Sequence, residues 1–564
     1  MREWLRETHG PGFELLRHFL LRFFDSDLVT ASGQTTTALI GAVAIFLPMF
    51  PMIVGPLQHK YAYFSHLAVP EPYRQAVRAD ELWLITLTMS GIGLLTAIKW
   101  QALFPGLGDY RTLGSLPLRA WQMFAAKLLA LLIVATAAMV TLNLVPGLMF
   151  PVVSTSHWAF HPAPGPRLVA HATATVAGCY FFFFAMVALQ GVLLNLLRPR
   201  AFVRVTGILQ GLLVGTMLVL IVLSFNIQPQ VTHTVVRPEF ARWLPPVWFL
   251  GLCQTMSGDP DPAMPALAQR ALGALAVAVV LVLLTYLISY RRHRTLLVEG
   301  VAAPRRNWRW RGVVFDWVVP DPRRQAVIVF LARTLAGSSQ HRTILMGYGG
   351  FGLAVFLSGT IGMPNMVEPA RVVAADFVYA HAILLVFLLI GVRHLFSIPV
   401  ELKANWAFQI TEGEGRREWL RAVDRFVLYP GAAVMLILPF PLEVHLLGWR
   451  AVGEAVLFAV FALLCYEGIF SSWEKLPFTC SHLPGKTPAW ILALYLLGLL
   501  AVLPMVNWLL LECLYHPAVF VVVLMILLGG WVRLHAARRE GWGELRLRYE
   551  EEPDPAIHGL NLLK

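Results

Sequence analysis

The sequence has little charge for its length. Only 14% of its 564 residues are Asp, Glu, Lys or Arg, whereas about a quarter of the residues of a soluble protein are charged. Apolar residues make up 57% of the chain and the mean hydropathy is +0.64. The polar surface that a water-soluble protein of this size needs is therefore missing. We interpret the chain as a polytopic membrane protein whose surface is largely covered by lipid.

The chain also has few cysteines and lacks a recognisable cleavable leader. Its five cysteines are scattered without paired spacing, which argues against a disulfide framework and against a cysteine-based metal site. The first long apolar run begins only near residue 36, and no small-residue cleavage site follows a short apolar region, so we predict no cleavable signal peptide. Residues 1–27 instead have the pattern of an amphipathic helix on the inner membrane face.

Long apolar runs dominate the rest of the sequence. They are uninterrupted, unlike the alternating segments of an outer-membrane barrel, and therefore predict helices. We identify twelve windows, residues 36–57, 82–100, 123–145, 168–197, 205–225, 272–290, 343–361, 378–392, 427–447, 452–470, 489–511 and 517–532. The predicted fold class is all-α, a polytopic helical membrane protein with about 12 transmembrane helices.

The distribution of basic residues predicts the orientation. When the N-terminus is placed in the cytoplasm, most of the 45 Lys and Arg residues fall in inward-facing segments, as the positive-inside rule requires. We therefore expect both termini to be cytoplasmic, in a multi-pass protein of the inner or plasma membrane. The net charge of +12 is explained by this orientation, and no binding to nucleic acid is predicted.

The two halves of the chain share a layout. Each has six windows, begins with a basic amphipathic segment and has a long cytoplasmic loop between its second and third windows. Both loops contain the pattern Arg-x-Trp-x5-Lys/Arg, formed by Arg119, Trp121 and Lys127 and by Arg417, Trp419 and Arg425. Repeats with an even number of spans are related by an axis along the membrane normal. We predict two parallel six-helix repeats.

The predicted organisation follows from this division. Residues 1–300 form the first six-span half with its N-terminal amphipathic helix, 301–325 a cytoplasmic interfacial linker, 326–540 the second six-span half and 541–564 a cytoplasmic tail. The linker mixes Arg with Trp, a composition typical of segments at the lipid headgroups. No segment between windows is long enough to bury the core of a soluble domain.

Two phrases carry a resemblance to a known family. DYRTLGSLPLRAWQMFAAKLLALL begins at Asp109, and RPEFARWLPPVWFLGLCQTMSGDPDP begins at Arg237. Together with the six spans per half and the amphipathic N-terminal helix, they resemble the type 2 ABC exporter permeases. In that family the first region forms the coupling helix that docks on the ATPase subunit. The second half departs from this pattern, since GEGRREWLRA replaces the Leu-Pro phrase and its outer loop is only ECLYHP.

The resemblance implies a transport subunit, not an enzyme, that contacts a separate ABC-type ATPase in the cytoplasm. ATP and Mg²⁺ are then expected on that partner, with no cofactor and no metal on this chain. Membrane lipid is a further partner, and a second permease copy is a candidate one. The expected ATPase-contacting residues are Asp109, Tyr110, Arg111, Pro117, Arg119 and Trp121 in the first half, and Glu412, Glu414, Arg416, Arg417 and Trp419 in the second. The substrate-binding residues are not identified.

Two other classes of function remain open. A secondary carrier of the major facilitator layout also has twelve spans, but the second-to-third loop lacks the Gly-rich basic signature of that superfamily. A membrane-embedded lipid-modifying enzyme needs a cluster of Asp, His or Glu at one interface, and no such spacing is evident. Glu443, Glu454 and Glu467 fall near window ends, where we expect them to snorkel toward water.

Two local patterns are weaker. Gly485, Lys486 and Thr487 match the end of a phosphate-binding loop, but Cys480 occupies the position of the first glycine and Pro488 leads into the next window. The segment is therefore not a nucleotide site. The glycine-rich run GYGGFG, at residues 347–352, is expected to permit close packing of the seventh span.

Overall fold

The computed structural model contains helices and no strands in the part of the chain that it describes. It describes residues 12–21, 57–105, 109, 113, 120–161, 163–226, 243–298, 319–361, 370–400, 402, 405–412, 416–471, 473, 475–480, 502, 505–506, 508–542, 547 and 549. Its internal contacts divide the chain into two compact units, Met1–Arg305 and Arg306–Lys564. Each unit is described by itself.

The first unit surrounds a central helix, α3. Its helices in chain order are α1 (12–21), α2 (57–65), α3 (Glu71–Ile98), α4 (Ala120–Val153), α5 (Pro164–Leu196), α6 (Pro199–Asn226), α7 (Pro245–Met256) and α8 (Ala263–Val298). The α3 helix packs against α5, α6 and α7, while α8 packs against α5 and α7. Because α3 has neighbours on most sides, Trp83, Ile85 and Met89 are fully buried.

The second unit has several short helices beside its long ones. Its helices are α9 (Pro322–Gly337), α10 (Ser339–Ile361), α11 (Ala370–Phe396), α12 (Asn405–Thr411), α13 (Arg416–Ala432), α14 (Phe440–Leu447), α15 (Arg450–Phe470), α16 (508–515) and α17 (Pro517–Gly541). Among the described helices of this unit, α10 and α11 share the most extensive packing, and α9 packs against α13. Asp321 caps α9 by accepting a hydrogen bond from the Arg323 amide at 2.9 Å.

Nine helices in the described part of the chain are long and apolar enough to cross a membrane. They correspond to nine of the twelve sequence windows, which confirms a helical protein of membrane type. The 343–361 window lies in α10, a helix that is not one of the nine. The 36–57 window lies almost wholly outside the described residues, and the 489–511 window is described only near its end.

The outer faces of these helices are apolar. On α17, the side chains of Val521, Val522, Met525 and Ile526 are between 57% and 67% exposed. A contiguous exposed face of this kind is unfavourable in water but matches a hydrocarbon solvent. The exposed surface therefore agrees with the low charge content of the sequence.

The predicted 427–447 span is helical but is not a uniform α-helix. Pro430 lies inside α13, close to its end, and cannot donate a backbone hydrogen bond. A π-helical segment, Ala433–Ile437, follows, and the chain resumes as α14 at Phe440. Gly448 then ends α14 with a φ of 60°, a conformation that glycine adopts at little cost. Segments of this kind frequently occur at functional sites in helices.

Glycines bring α10 and α11 into close contact, as the GYGGFG run predicted. A Cβ atom on Gly352 would lie 3.2 Å from the Cα of Leu384, and one on Gly391 would lie 2.5 Å from the Cβ of Tyr348. A Cβ on Gly347, one residue before Tyr348, would have no heavy atom within 4 Å. Small residues are used in this way where membrane helices approach closely.

Gly391→Ala is expected to destabilise the second unit by about 1–3 kcal/mol, because the new methyl group overlaps a Cβ atom that side-chain rotation cannot move. Thermal unfolding of the detergent-purified protein measures the effect. Gly347→Ala is the matched control and should leave the melting temperature unchanged or raise it slightly. Equal melting temperatures for the two variants would show that α10 and α11 do not pack as described.

Candidate functional site

The predicted coupling residues of the first half are only partly described. The Asp109 side chain is 3% exposed and therefore buried, whereas that of Trp121, at the start of α4, is 55% exposed. Tyr110, Arg111, Pro117 and Arg119 lie outside the described residues. Of the six residues, Trp121 is thus the one whose described side chain is open to a partner.

The N-terminal amphipathic helix α1 packs beside the start of α4. Leu15 and Phe19 of α1 are buried in one core cluster with Met123 and Phe124 of α4. The Lys127 ammonium lies 4.9 Å from the centre of the Phe19 ring, within the range of a cation–π interaction. Lys127 is buried as well. This contact connects the helix that follows the predicted coupling loop to the leading helix of the unit.

An equivalent connection is present in the second unit, where α9 packs against α13. Arg324 of α9 donates a hydrogen bond to the Glu418 carboxylate, and Arg421 donates to the other oxygen at 2.6 Å. Trp419 is buried, with its ring perpendicular to that of Phe408 on α12 at a centroid distance of 6.0 Å. The start of α13 is therefore fixed by charge and by packing.

The other predicted coupling residues of this half differ in role. Arg416 donates to Glu412 at 2.7 Å, and Glu412 also accepts from the Leu547 amide at 3.3 Å, so Glu412 connects the C-terminal segment to the start of α13. Burial, with the charge of Glu412 as a second cause, raises the pKa of the Tyr549 phenol above its ordinary value. Arg417 is exposed, and Glu414 lies outside the described residues.

A buried charge network joins three long helices of the second unit. Arg538 of α17 donates to Glu467 of α15 at 2.9 Å and to Asp424 of α13 at 2.5 Å. Tyr466 donates to the same Asp424 oxygen at 2.5 Å, and His535 lies 2.5 Å from Glu467. The Arg538 side chain is 7% exposed. The network places one guanidinium between two carboxylates, so neither carboxylate is left without a countercharge.

A polar cluster also lies within the first unit. Arg167 of α5 donates to the backbone oxygen of Ser154 at 2.7 Å and to its hydroxyl oxygen at 2.6 Å. Glu81 of α3 is fully buried and accepts a hydrogen bond from Gln254 of α7. A cavity of about 30 Å³ lies beside Glu81, Arg167 and Gln254, a volume that fits about one water molecule.

Two further ligand-type groups approach Glu81. Ligand atoms of Glu81, His171 and Cys253 lie within 4.8 Å of one another, and all three residues are buried. The Glu81 carboxylate already has a hydrogen-bond donor in Gln254. The three residues are distant from one another in the chain, so no local spacing in the sequence indicates this cluster.

Two ion pairs involve residues in the N-terminal part of α3, next to Glu81. Lys60 of α2 donates to Asp80 at 2.8 Å, and Arg78 donates to Asp259 at 2.9 Å from its Nε. Tyr61 also donates to Asp80, and burial, followed by the charge of Asp80, raises the pKa of the Tyr61 phenol well above its ordinary value. The chain segments at this end of the unit are thus joined by charge.

A second cluster lies within the second unit, where His381 of α11 meets Glu443 of α14 and Glu454 of α15. The His381 Nδ1 atom is 3.5 Å from a Glu443 oxygen and 3.4 Å from a Glu454 oxygen. Its Nε2 atom is 2.8 Å from the backbone oxygen of Met435, in the π-helical segment. All three side chains are at most 4% exposed.

The sequence prediction for these carboxylates was wrong. Glu443, Glu454 and Glu467 are buried instead of reaching toward water. Their proximity to window ends suggested snorkelling, but Glu443 faces His381 and Glu454, and Glu467 pairs with Arg538 and His535 of α17. The only signal in the sequence was that ionisable residues within apolar windows are uncommon and tend to be functional. His381 carried no such signal beyond its place in an apolar run.

The two clusters occupy related positions in their units. Glu81 and His171 lie on the helices that contain the second and fourth windows of the first half, α3 and α5. His381 and Glu454 lie on the corresponding helices of the second half, α11 and α15. The third contributor differs, because α7 completes the first cluster and α14 the second.

No protein family, curated protein or solved structure matches this chain.

Arg538→Gln is expected to destabilise the protein by about 3–5 kcal/mol, because it leaves Asp424 and Glu467 buried without their shared countercharge. Arg539→Gln removes the same charge from an exposed neighbour and serves as the control. Thermal unfolding in detergent should show a large loss for the first variant and almost none for the second. Equal effects of the two variants would contradict the bridging role of Arg538.

Proposed function

We propose that this chain is the transmembrane permease subunit of an ATP-driven exporter, which couples a separate ABC-type ATPase to movement of a substrate across the membrane. The observation that carries the proposal is the connection between a leading amphipathic helix and the helix that follows each predicted coupling loop. The resemblance of the first 300 residues to type 2 ABC exporter permeases supports it.

These helix-to-helix connections would allow a force on a coupling loop to move two helices together. An ATPase pressing on the loop before α4 moves α4 together with α1, because Phe19, Lys127 and the surrounding core join them. In the second unit the same force on the loop before α13 moves α9 through Arg324 and Glu418. Rigid elements of this kind let a local push shift a helix bundle between two arrangements.

A duplicated permease is part of the proposal. In support, each unit has a leading helix against the start of a long helix, and each has a polar cluster between corresponding helices. The described contacts of the two halves also differ, because Glu412 of the second half accepts a hydrogen bond from the C-terminal segment, and α7 contributes Cys253 to the cluster of the first half. We infer that the two coupling loops contribute unequally to ATPase contact.

Tagged chain purified from its own cells is expected to bring down an ABC-type ATPase subunit, and Trp121→Ala should reduce the amount recovered several-fold. Trp406→Ala, on α12 in the second half, should have a smaller effect. Both side chains are exposed, at 55% and 63%, so their loss should not unfold the chain. Quantitative mass spectrometry of the purified complex, with detergent thermal stability as a folding check, gives the result.

Trp449→Ala is the matched control for this experiment. Its side chain is 82% exposed and lies in a turn that we expect on the opposite side of the membrane. Recovery of the ATPase should therefore be unchanged. The proposal fails if no ATPase accompanies the wild-type chain, or if Trp449→Ala lowers recovery as much as Trp121→Ala.

The orientation with both termini in the cytoplasm has a direct test. Cysteine introduced by Trp449→Cys should react with a membrane-impermeant maleimide in intact cells, whereas cysteine introduced by Arg417→Cys should react only after permeabilisation. The unmodified chain, with its five native cysteines, sets the background. The reverse labelling pattern would invert the topology and place the predicted coupling loops outside the cell.

A secondary carrier is the second candidate, favoured by the buried carboxylates Glu443 and Glu454. Carboxylates at membrane depth are the groups that ion-coupled transporters use. Reconstituted vesicles separate the two functions. A carrier responds to an imposed proton or sodium gradient without ATP, whereas the proposed permease requires its ATPase and ATP.

A further inference from the structure

We propose that His381, Glu443 and Glu454 form a binding site for one divalent transition-metal ion, with Zn²⁺ as the ion that fits best. The three side chains come from three different helices of the second unit, and their ligand atoms lie within 4.8 Å of one another. The proposal does not depend on what the protein transports.

The histidine presents a lone pair to the carboxylates. Its Nε2 atom is 2.8 Å from the Met435 carbonyl oxygen, which can only accept a hydrogen bond, so Nε2 carries the proton. In the neutral ring Nδ1 is then an acceptor. It faces the oxygens of Glu443 and Glu454, which are acceptors too. Three acceptors directed at one point need a proton or a cation between them, and a metal ion can satisfy all three at once.

The carboxylates have unused ligand capacity. Both oxygens of Glu443 and the Oε2 atom of Glu454 are buried without a hydrogen-bond donor. Among the residues that the structure describes, His381 is the sole ion-pair partner of either carboxylate. When both carboxyl groups are ionised they carry a double negative charge, which a divalent ion neutralises and a single proton does not.

The spacing matches a tetrahedral ion. Zn²⁺ binds imidazole nitrogen and carboxylate oxygen at about 2.1 Å, so two ligands of a tetrahedral site lie about 3.4 Å apart. The Nδ1 atom lies 3.4 Å and 3.5 Å from the two carboxylate oxygens. Direct hydrogen bonds between nitrogen and oxygen are normally shorter, about 2.7–3.2 Å.

The ring is held in the orientation that a ligand needs. Phe458 stacks on it with a centroid distance of 3.7 Å, and Phe356 and Phe377 contact it at 5.9 Å and 5.7 Å. Metal-binding histidines almost always donate their second N–H to a fixed acceptor, which sets the tautomer. The Met435 carbonyl takes this role.

The corresponding cluster of the first unit is a weaker candidate. Glu81 already accepts a hydrogen bond from Gln254, so part of its ligand capacity is used. That cluster also contains a sulfur atom, from Cys253. A zinc ion bound there would show a sulfur neighbour in X-ray absorption, so the two sites can be distinguished.

The test uses the full chain purified in detergent, stripped with a chelator and then dialysed against Zn²⁺. Metal analysis should find about one tightly bound ion per chain, and zinc X-ray absorption should show nitrogen and oxygen neighbours near 2.0–2.2 Å without sulfur. Glu443→Gln and Glu454→Gln should each weaken Zn²⁺ affinity by at least about 10–100-fold. Zn²⁺ should raise the melting temperature of the wild-type chain and not that of either variant.

Glu512→Gln is the control, because it makes the same chemical change at a carboxylate that pairs with His516 at 3.3 Å, apart from this cluster. It should bind Zn²⁺ as the wild-type chain does. Wild-type protein that retains no zinc, or whose zinc spectrum shows sulfur, overturns the assignment. So does unchanged zinc affinity in both glutamine variants, or an equal loss in Glu512→Gln. If a variant fails to fold, the wild-type metal content and spectrum alone decide.

Discussion

A charge inside a helix bundle surrounded by lipid must find a countercharge within the protein, and this constraint organises the polar contacts of both units. A buried carboxylate or guanidinium without a partner is strongly unfavourable, because it has lost its hydration and gained no countercharge. Arg538 supplies the countercharge for Asp424 and Glu467, and Arg78 supplies it for Asp259. With only 14% charged residues, the chain uses several of its buried charges to join helices that are far apart in sequence.

The same constraint separates two kinds of polar group. Asp424 and Glu467 are satisfied by a guanidinium and belong to the scaffold. Glu443 and Glu454 face His381, whose Nδ1 atom is an acceptor when Nε2 carries the proton. In that state the three side chains do not supply a hydrogen-bond donor to one another. A structural network completes its own hydrogen bonds, whereas a site that receives a ligand has polar atoms left over.

The helical membrane class and most helix positions could be predicted from the sequence, because apolar length is a property of contiguous residues. Close packing at the 347–352 glycines was predictable for the same reason. The polar clusters were not, since Glu81 and Cys253, or His381 and Glu454, come together only when distant helices pack. The position of Glu443 beside His381 was not predictable either, since no periodicity in the apolar run reveals the π-helical segment before it. The resemblance to exporter permeases pointed to the loops before α4 and α13, but the contact of Glu412 with the C-terminal segment could not be anticipated.

The π-helical segment after Pro430 has a consequence for how this cluster could arise. A π turn corresponds to one extra residue accommodated within an α-helix. Each residue of an α-helix advances the side-chain direction by about 100°, so one extra residue rotates everything beyond it by that angle. The same glutamate on an unbroken helix would have faced a different neighbour. The contact of Glu443 with His381 and Glu454 therefore depends on the number of residues between Pro430 and Phe440 as much as on the identity of the three side chains. A single codon inserted or deleted there would separate the three side chains without changing any of them.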